Sequence, residues 1–175
     1  MKLSWSHAVL YVKDQDTMID FYTNTLGFTV TDRGPIGPDG APEIIFMSSD
    51  PNEHHQIAMI QTRKDEGPSN AVNHFAFRVE SFADVKNLNT TLQEMEGINI
   101  MPLSHGNTLS VYFNDPEQNG IEVFWDTPWH VAQPQGKPWD PSLEEAEALD
   151  WVKENFSGEP TFEPRNDYYQ NKHLQ

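Results

Sequence analysis

Three residues of this sequence combine types that bind transition metals: His7, His74 and Glu122. Each interrupts a short apolar segment that alternates as a β-strand, so each side chain points away from its apolar neighbours. Two neutral imidazoles and one carboxylate form the facial triad that holds iron(II) and leaves coordination positions open. Such positions suit a substrate with two adjacent oxygens together with O2. A lone histidine is more often a core or surface residue, but three polar residues at matching positions of a sequence repeat, described below, are more typical of metal ligands.

Another polar group lies in the segment HGNTLSVYFNDPEQNGIEVFWD, which begins at His105 and contains Glu122. Alternation puts Thr108, Ser110 and Tyr112 on one face of the predicted strand, so the phenol of Tyr112 should project near the metal. His105 lies at the mouth of the same hairpin. A histidine titrates near neutral pH and a tyrosine donates a strong hydrogen bond, which suits proton transfer. Taken singly, Tyr112 also suits a packing residue and His105 a loop residue.

The elements that must position these residues form one pattern written twice: a strand, a helix and three strands. In the first copy we predict strands at 6–12, 28–32, 43–47 and 56–61, and a helix at 16–26. In the second copy we predict strands from 73, at 98–101, 109–113 and 121–125, and a helix at 81–96. His7 and His74 are 67 residues apart, and the same offset leads from His55 to Glu122.

The repeat predicts an α+β fold of two βαβββ modules, at about 5–62 and 72–126. A module of this size cannot cover its own sheet, so the two sheets should pack side by side and form a shared metal-binding trough. The matched polar residues would then face into the trough. The modules together would make one domain over residues 1–126.

Residues 127–175 differ in composition and form a predicted extension. The segment TPWHVAQPQGKPWDP has four prolines in fifteen residues, which suits an extended chain on a surface. Ser142 and Glu145 suit a capping box, so we predict a helix at about 142–156. The last seventeen residues resemble a loosely held tail. Trp129 and Trp139 would anchor the extension on the domain or form a subunit contact.

The composition excludes several classes of function. The sequence has no cysteine, so disulfides, thiolate metal sites and thiol nucleophiles are absent. Its formal net charge is -16 without a basic cluster, which argues against nucleic acid or an anionic membrane as a partner. Without a long apolar run or a signal-like N-terminus, we expect a cytoplasmic, soluble protein.

The second group of polar residues resembles the signature of the type I extradiol ring-cleavage dioxygenases of the vicinal oxygen chelate superfamily. The matching sequence is His105, GNTLS, Val111-Tyr112, FN, Asp115-Pro116 and then EQNGI to Glu122. One residue departs from the family pattern, because Gln118 stands where glycine or proline is usual. The resemblance spans about residues 5–126.

This resemblance implies a role for each candidate residue. His7, His74 and Glu122 match the metal ligands, with Fe(II) as the expected ion and Mn(II) as the alternative. His55 matches an acid–base histidine beside bound O2, while His105 and Tyr112 match hydrogen-bonding residues around the substrate. The implied substrates are a small aromatic diol and O2, and the implied reaction opens the ring next to the diol. The expected assembly is a homo-oligomer.

The same residues also suit two other functions. A glyoxalase-like isomerase or transferase of the same superfamily would use nickel, zinc or manganese, with His55 or Gln56 as a ligand and no clear task for Tyr112. A metal-free protein that sequesters a ligand would have no use for the matched histidines and glutamate. Metal analysis of the purified protein separates these three functions.

Overall fold

A computed structural model describes residues 4–67 and 71–172 of the chain. The chain divides into two compact units. Unit 1 comprises Met1–Asn70 together with the short segment Asp115–Gln118, and unit 2 comprises Ala71–Asn114 and Asn119–Gln175. None of the helices in the described part of the chain is both long and apolar enough to cross a membrane.

Unit 1 contains the first βαβββ module. Its elements are β1 (Ala8–Val12), α1 (Gln15–Asn24), β2 (Thr29–Pro35), β3 (Glu43–Ser48) and β4 (Ile57–Gln61). The strands form one mixed sheet in the order β1-β4-β3-β2, in which β1 and β4 are parallel and the other pairs antiparallel. Buried apolar side chains hold α1 against this sheet, including Met18, Tyr22, Ile45, Met47 and Met59.

Unit 2 contains the second module, followed by the extension. The module comprises β5 (Phe75–Arg78), α2 (Phe82–Gln93), β6 (Met101–Ser104), β7 (Thr108–Asn114) and β8 (Gly120–Asp126). The extension adds β9 (Trp129–His130), β10 (Lys137–Pro138), α3 (Glu145–Phe156), β11 (Glu163–Pro164) and α4 (Arg165–Lys172). The main sheet has the order β10-β6-β7-β8-β5, and β9 pairs with β11 in a separate small sheet.

The predicted repeat of element order is confirmed. In each module the first strand lies at one edge of the four module strands and runs parallel to the last, so the sheets share one topology. The predicted α+β class is confirmed as well. The predicted match between His55 and Glu122 is wrong, because Ala8 pairs with Ile57 whereas Phe75 pairs with Ile121. The first strands are therefore offset by 67 residues and the last strands by 64, since the intervening connections differ in length.

Side-chain caps begin the two module helices. The Asp14 carboxylate accepts a hydrogen bond from the Thr17 backbone N–H and another from its hydroxyl, at 3.1 and 2.7 Å. These bonds hold the pKa of Asp14 below its ordinary value because they favour the ionised form. Ser81 and Asp84 form a reciprocal capping box at the start of α2.

Three details of the sequence prediction need correction. The strand predicted at 98–101 is Met101–Ser104, because the tight hairpin that pairs Ser104 with Leu109 sets its register. The helix of the extension begins at Glu145, and its capping box consists of Glu144 and Glu147 rather than Ser142 and Glu145.

The predicted loose tail is also wrong within the described residues. Strand β11 pairs with β9, and helix α4 follows it directly. Aromatic rings hold this region, since Trp129 stacks on Phe162 and His130 stacks on Tyr168 at ring-centroid distances of 5.2 and 3.4 Å. The extension also contributes fully buried side chains to unit 2: Val131, Ala148, Val152 and Phe156. The extension is therefore part of the core of unit 2.

Candidate active site

Glu122 and Tyr112 lie opposite each other on neighbouring strands of unit 2. Tyr112 of β7 pairs with Glu122 of β8, and their side chains share one face of the sheet. On the other face, Leu109, Val111 and Ile121 are completely buried, as the alternation of the sequence predicts. The Glu122 carboxylate is itself largely buried, with a residue exposure of 8%. A carboxylate at this depth needs polar partners.

His74 supplies the first of these partners. It lies immediately before β5, the strand beside β8, and its Nε2 is 3.3 Å from Oε2 of Glu122. Its Nδ1 is 2.6 Å from Oδ1 of Asn73, which orients the ring. Two donor atoms that bind one metal ion at a right angle, each about 2.1 Å from it, lie about 3 Å apart. The spacing of His74 and Glu122 therefore fits a shared metal ion.

Ser110 holds the other carboxylate oxygen of Glu122. This serine is completely buried, and its hydroxyl donates a 2.7 Å hydrogen bond to Oε1 of Glu122. The backbone carbonyl of Ser110 in turn accepts a 2.9 Å hydrogen bond from the indole Nε1 of Trp139 in the extension. Glu122 consequently presents Oε2 toward His74, while its Oε1 is hydrogen-bonded to Ser110.

His105 and Tyr112 form a hydrogen-bonded pair beside this carboxylate. Nε2 of His105 is 2.8 Å from the Tyr112 hydroxyl and 3.9 Å from Oε1 of Glu122. The ring of Tyr112 also meets the ring of His74 edge to face, with centroids 5.3 Å apart. Burial, helped by the adjacent Glu122 carboxylate, raises the pKa of the Tyr112 phenol above its ordinary value. The phenol is therefore protonated at neutral pH and can donate a hydrogen bond.

His7 and His55 lie together in unit 1. Their ring centroids are 4.2 Å apart, at the start of β1 and before β4. His54 lies on the other side of His55, with the two Nδ1 atoms 2.8 Å apart. Burial lowers the pKa of His55, and the neighbouring His7 and His54 imidazoles lower it further. His55 is therefore neutral at neutral pH.

The structure thus brings the six predicted site residues together in two sets. His74, Glu122, His105 and Tyr112 are neighbours in unit 2, and His7 and His55 are neighbours in unit 1. Within residues 4–67 and 71–172, no group of three or more His, Asp or Glu side chains is arranged to hold a metal ion. The pair His74 and Glu122 is the part of the predicted ligand set whose geometry the structure shows.

Several residues that shape the site escaped prediction. The alternation of the strand predicts the correct face for Ser110, but it does not predict the hydrogen bond from Ser110 to Glu122. Asn73, Trp139, Gln133 and Gln135 act on the site through hydrogen bonds to His74, Ser110 and His105. The alternation shared by Ser110 and Tyr112 is a usable sequence signal. Asn73 is adjacent to His74, but no pattern marks that contact, and the other contacts link residues 28 to 30 positions apart.

The fold defines an α+β protein built from two βαβββ modules. Residues 4–123 match the model of the glyoxalase/bleomycin resistance protein/dioxygenase superfamily. The chain therefore belongs to this superfamily, in agreement with the resemblance seen in its sequence.

The relatives of this chain include dioxygenases. The chain is 24% identical over 156 residues to biphenyl-2,3-diol 1,2-dioxygenase 2 of Rhodococcus globerulus, covering 79% of this chain and 78% of that protein. It is 28% identical over 128 residues to catechol-2,3-dioxygenase of Bacillus subtilis, covering 70% of this chain but 41% of that protein. Both relatives are named dioxygenases, at identities of 24% and 28%.

Solved structures of the same fold have other activities. The fosfomycin resistance protein FosX of Listeria monocytogenes, solved with Mn(II) and sulfate, aligns with a TM-score of 0.57 and 20% identity, over 73% of this chain and 95% of that chain. Glyoxalase I of Leishmania major aligns with a TM-score of 0.54 and 22% identity, over 70% and 86% of the two chains. At these identities the alignments show the fold alone.

Proposed function

We propose that this protein is an iron(II)-dependent extradiol dioxygenase that cleaves the ring of a catechol-type substrate next to the diol and inserts O2. The observation that carries the proposal is the grouping of His74 and Glu122 at metal-ligand spacing, with the His105–Tyr112 pair beside them. The dioxygenases among the relatives support the same reaction. Assembly as a homo-oligomer and a cytoplasmic location stay predictions.

In this proposal His74 and Glu122 are metal ligands, and His7 is the second histidine ligand. The assignment of His7 depends on its position in the sequence repeat. Iron(II), or alternatively Mn(II), would lower the pKa of a bound substrate hydroxyl and bring the diol and O2 together. Ser110 and Trp139 keep the Glu122 carboxylate in one orientation, and ordered support of this kind raises metal affinity.

Tyr112 and His105 are the proposed proton acceptors for the substrate diol. The Tyr112 hydroxyl is within hydrogen-bonding distance of His105, so a proton taken from the substrate can move to the imidazole through the phenol. His55 is the proposed acid–base group for the oxygen-insertion and ring-opening steps. Its lowered pKa keeps the ring neutral, so its unprotonated nitrogen can accept a proton and its N–H can donate one.

The test begins with anaerobic loading of the purified protein with iron(II), followed by a panel of catechols in aerated buffer. We expect oxygen uptake together with a yellow ring-opened product. The Glu122→Gln variant should lose iron affinity by more than about hundredfold, since replacing even a supporting residue costs 10–100-fold. Glu96→Gln is the matched control, because Glu96 is exposed and lies outside the site.

Metal specificity distinguishes the proposed reaction from the other activities of this fold. Oxygen uptake with iron or manganese supports a dioxygenase. Activity that requires nickel or zinc and consumes no oxygen would contradict the proposal and favour an isomerase or transferase. A protein that binds no divalent metal, and whose Glu122→Gln variant behaves like Glu96→Gln, would contradict every role assigned to Glu122.

A further inference from the structure

Both ring nitrogens of His105 have a defined partner. Nδ1 is 2.5 Å from the backbone carbonyl oxygen of Gln135, and Nε2 is 2.8 Å from the hydroxyl of Tyr112. A carbonyl oxygen has no hydrogen to donate, so Nδ1 of His105 must carry the proton of that bond. A neutral imidazole has a single N–H, so Nε2 must then accept a hydrogen bond from Tyr112. The direction of the His105–Tyr112 bond is thus set by the contact with Gln135.

Gln133 holds Gln135 in place against the loop that carries His105. The side-chain Nε2 of Gln133 donates to the backbone carbonyl of His105 at 2.8 Å and approaches Oδ1 of Asn107 at 3.3 Å. Its Oε1 accepts a 3.0 Å hydrogen bond from the backbone N–H of Gln135. One side chain therefore connects the backbone of His105 to the residue that fixes the ring of His105.

Packing restricts the same loop from another side. Gly106 has a positive φ of 80°, and a Cβ atom there would lie 2.6 Å from Val131 and 3.0 Å from Phe156. The carbonyl of Gly106 accepts a 2.7 Å hydrogen bond from the Thr127 hydroxyl. Since Thr127, Val131 and Phe156 all belong to the extension, the loop of His105 is held by the extension on several sides.

We propose that Gln133 and Gln135 are positioning residues that keep the proton of His105 on Nδ1 and its Nε2 free to accept a proton from Tyr112. This inference rests on the proposed function, in which Tyr112 and His105 serve the substrate diol. When the substrate O–H bond breaks, its proton forms a new O–H bond on Tyr112, while the original phenol proton moves to Nε2 of His105. The resulting imidazolium keeps its Nδ1–H bond to the Gln135 carbonyl, and the Glu122 carboxylate lies 3.9 Å away.

The opposite tautomer could not perform this transfer. With the proton on Nε2, His105 would donate to Tyr112 and could accept nothing from it, and Nδ1 would face a carbonyl without a hydrogen between them. The extension would then serve as more than a structural cover, because it selects the tautomer that the proton transfer requires.

The test uses the full-length, metal-free protein labelled with 15N and long-range proton–nitrogen NMR spectra of its histidine rings at alkaline pH, where histidines are neutral. The His105→Asn variant identifies the signals of His105 by their loss. We expect the native protein to show His105 with a protonated Nδ1 and an unprotonated Nε2. A protonated Nε2 in the native protein would overturn the inference.

The Gln133→Ala variant tests the support of this tautomer. It should shift the His105 signals toward the other tautomer, whereas Gln93→Ala, at an exposed residue of α2, should leave them unchanged. Native signals in a folded Gln133→Ala protein would also overturn the inference. If that variant fails to fold, the spectrum of the native protein still decides the matter.

Turnover separates this inference from the proposed function. In the iron-loaded enzyme, Gln133→Ala should lower kcat about 10- to 100-fold with little change in KM, because it disturbs proton transfer rather than diol binding. An unchanged kcat would count against the positioning role. If the native protein turns over no diol yet shows the Nδ1–H tautomer and its dependence on Gln133, the positioning stands and the proposed function fails.

Discussion

Removal of the Glu117 carboxylate should destabilise unit 1 strongly. Glu117 belongs to the short segment Asp115–Gln118, and its side chain is only 7% exposed. Its Oε1 accepts hydrogen bonds from the backbone N–H groups of Lys13 and Asp14, at 2.5 and 2.9 Å, directly before helix α1. Its Oε2 lies 3.5 Å from Nη1 of Arg63, whose side chain is 6% exposed.

The size of the effect follows from what each substitution leaves behind. Glu117→Ala removes the buried partner of the Arg63 guanidinium, which keeps its 3.3 Å contact with the exposed Asp65, and it leaves two backbone donors without their acceptor. Loss of one partner of a buried ion pair costs about 3–5 kcal/mol, and because Asp65 still compensates the charge we expect the lower end, about 3 kcal/mol, for Glu117→Ala. Glu117→Gln keeps an oxygen acceptor and loses only the charge, so we expect about 2 kcal/mol.

Urea unfolding followed by circular dichroism measures these differences. The matched control is Glu96→Ala, since Glu96 is exposed and its loss should change the free energy of unfolding by less than about 0.5 kcal/mol. The double variant with Arg63→Ala isolates the ion pair. Because the pair is buried, its contribution should change little between low and high salt.

Two results would refute this reasoning. A Glu117→Ala protein that loses less than about 1 kcal/mol would show that water replaces the carboxylate at little cost. Equal losses in Glu117→Ala and Glu117→Gln would show that the acceptor oxygen makes no contribution, and that charge alone is responsible.

Three further predictions concern other parts of the chain. Gly106→Ala should destabilise the protein by about 2–4 kcal/mol in thermal unfolding, because its methyl group would overlap Val131 and crowd Phe156 at a backbone conformation that alanine rarely adopts; a loss below about 1 kcal/mol would contradict the predicted overlap. Because the folded pKa of Asp14 lies below its ordinary 3.8, the ionised cap contributes stability above that pH, and this contribution disappears as the pH falls through the folded pKa. Asp14→Asn should therefore have a lower Tm than the native protein at neutral pH and the same Tm in strong acid; a constant difference would exclude the charge as its cause. His55→Ala should retain its iron content yet lower oxygen uptake by more than about hundredfold, and unchanged uptake would rule out His55 as the acid–base group.

The order of elements and the faces of the strands were predictable because they depend on local periodicity. Apolar residues alternate along β7 and β8, so the burial of Leu109 and Val111 and the shared face of Tyr112 and Glu122 follow from two-residue spacing. Pairing within each hairpin is likewise local. This is why three of the predicted residues, His105, Tyr112 and Glu122, could be expected near one another before their contacts were known. His74 joins them through the pairing of β5 with β8, which the predicted repeat of the modules implies.

The predicted match between His55 and Glu122 was wrong because it depends on positions far apart in the chain rather than on local periodicity. A constant offset assumes that every connection has the same length in both modules, whereas the last strands are offset by 64 residues and the first by 67. Strand pairing, not position along the chain, decides which residues are equivalent. By pairing, the residue of unit 1 that corresponds to Glu122 is Ala58, which cannot bind a metal.

The supporting contacts of the site could not be predicted, because they join residues that no pattern relates. Gln135 acts through its backbone carbonyl, so its residue type carries no trace of its contact with His105. In the sequence, Glu117 is typical of a turn residue. No pattern predicts its contact with Arg63, which lies 54 positions earlier. Sequence patterns thus predict where reactive side chains lie on strands, but not the groups that fix their orientation.

The groups that orient the reactive side chains would also help the site to discriminate between reactions. Histidine and glutamate at these positions suit several metal-dependent reactions on one fold, so the ligand set alone does not select a chemistry. In the proposed reaction, the His105–Tyr112 pair adds a proton acceptor, and the Gln135 carbonyl fixes which of the two residues donates the hydrogen bond. A substrate with an ionisable hydroxyl uses such an acceptor, whereas a substrate that binds the metal without losing a proton does not. In the proposed reaction, the extension would therefore favour a hydroxyl-bearing substrate such as a catechol through its hold on His105.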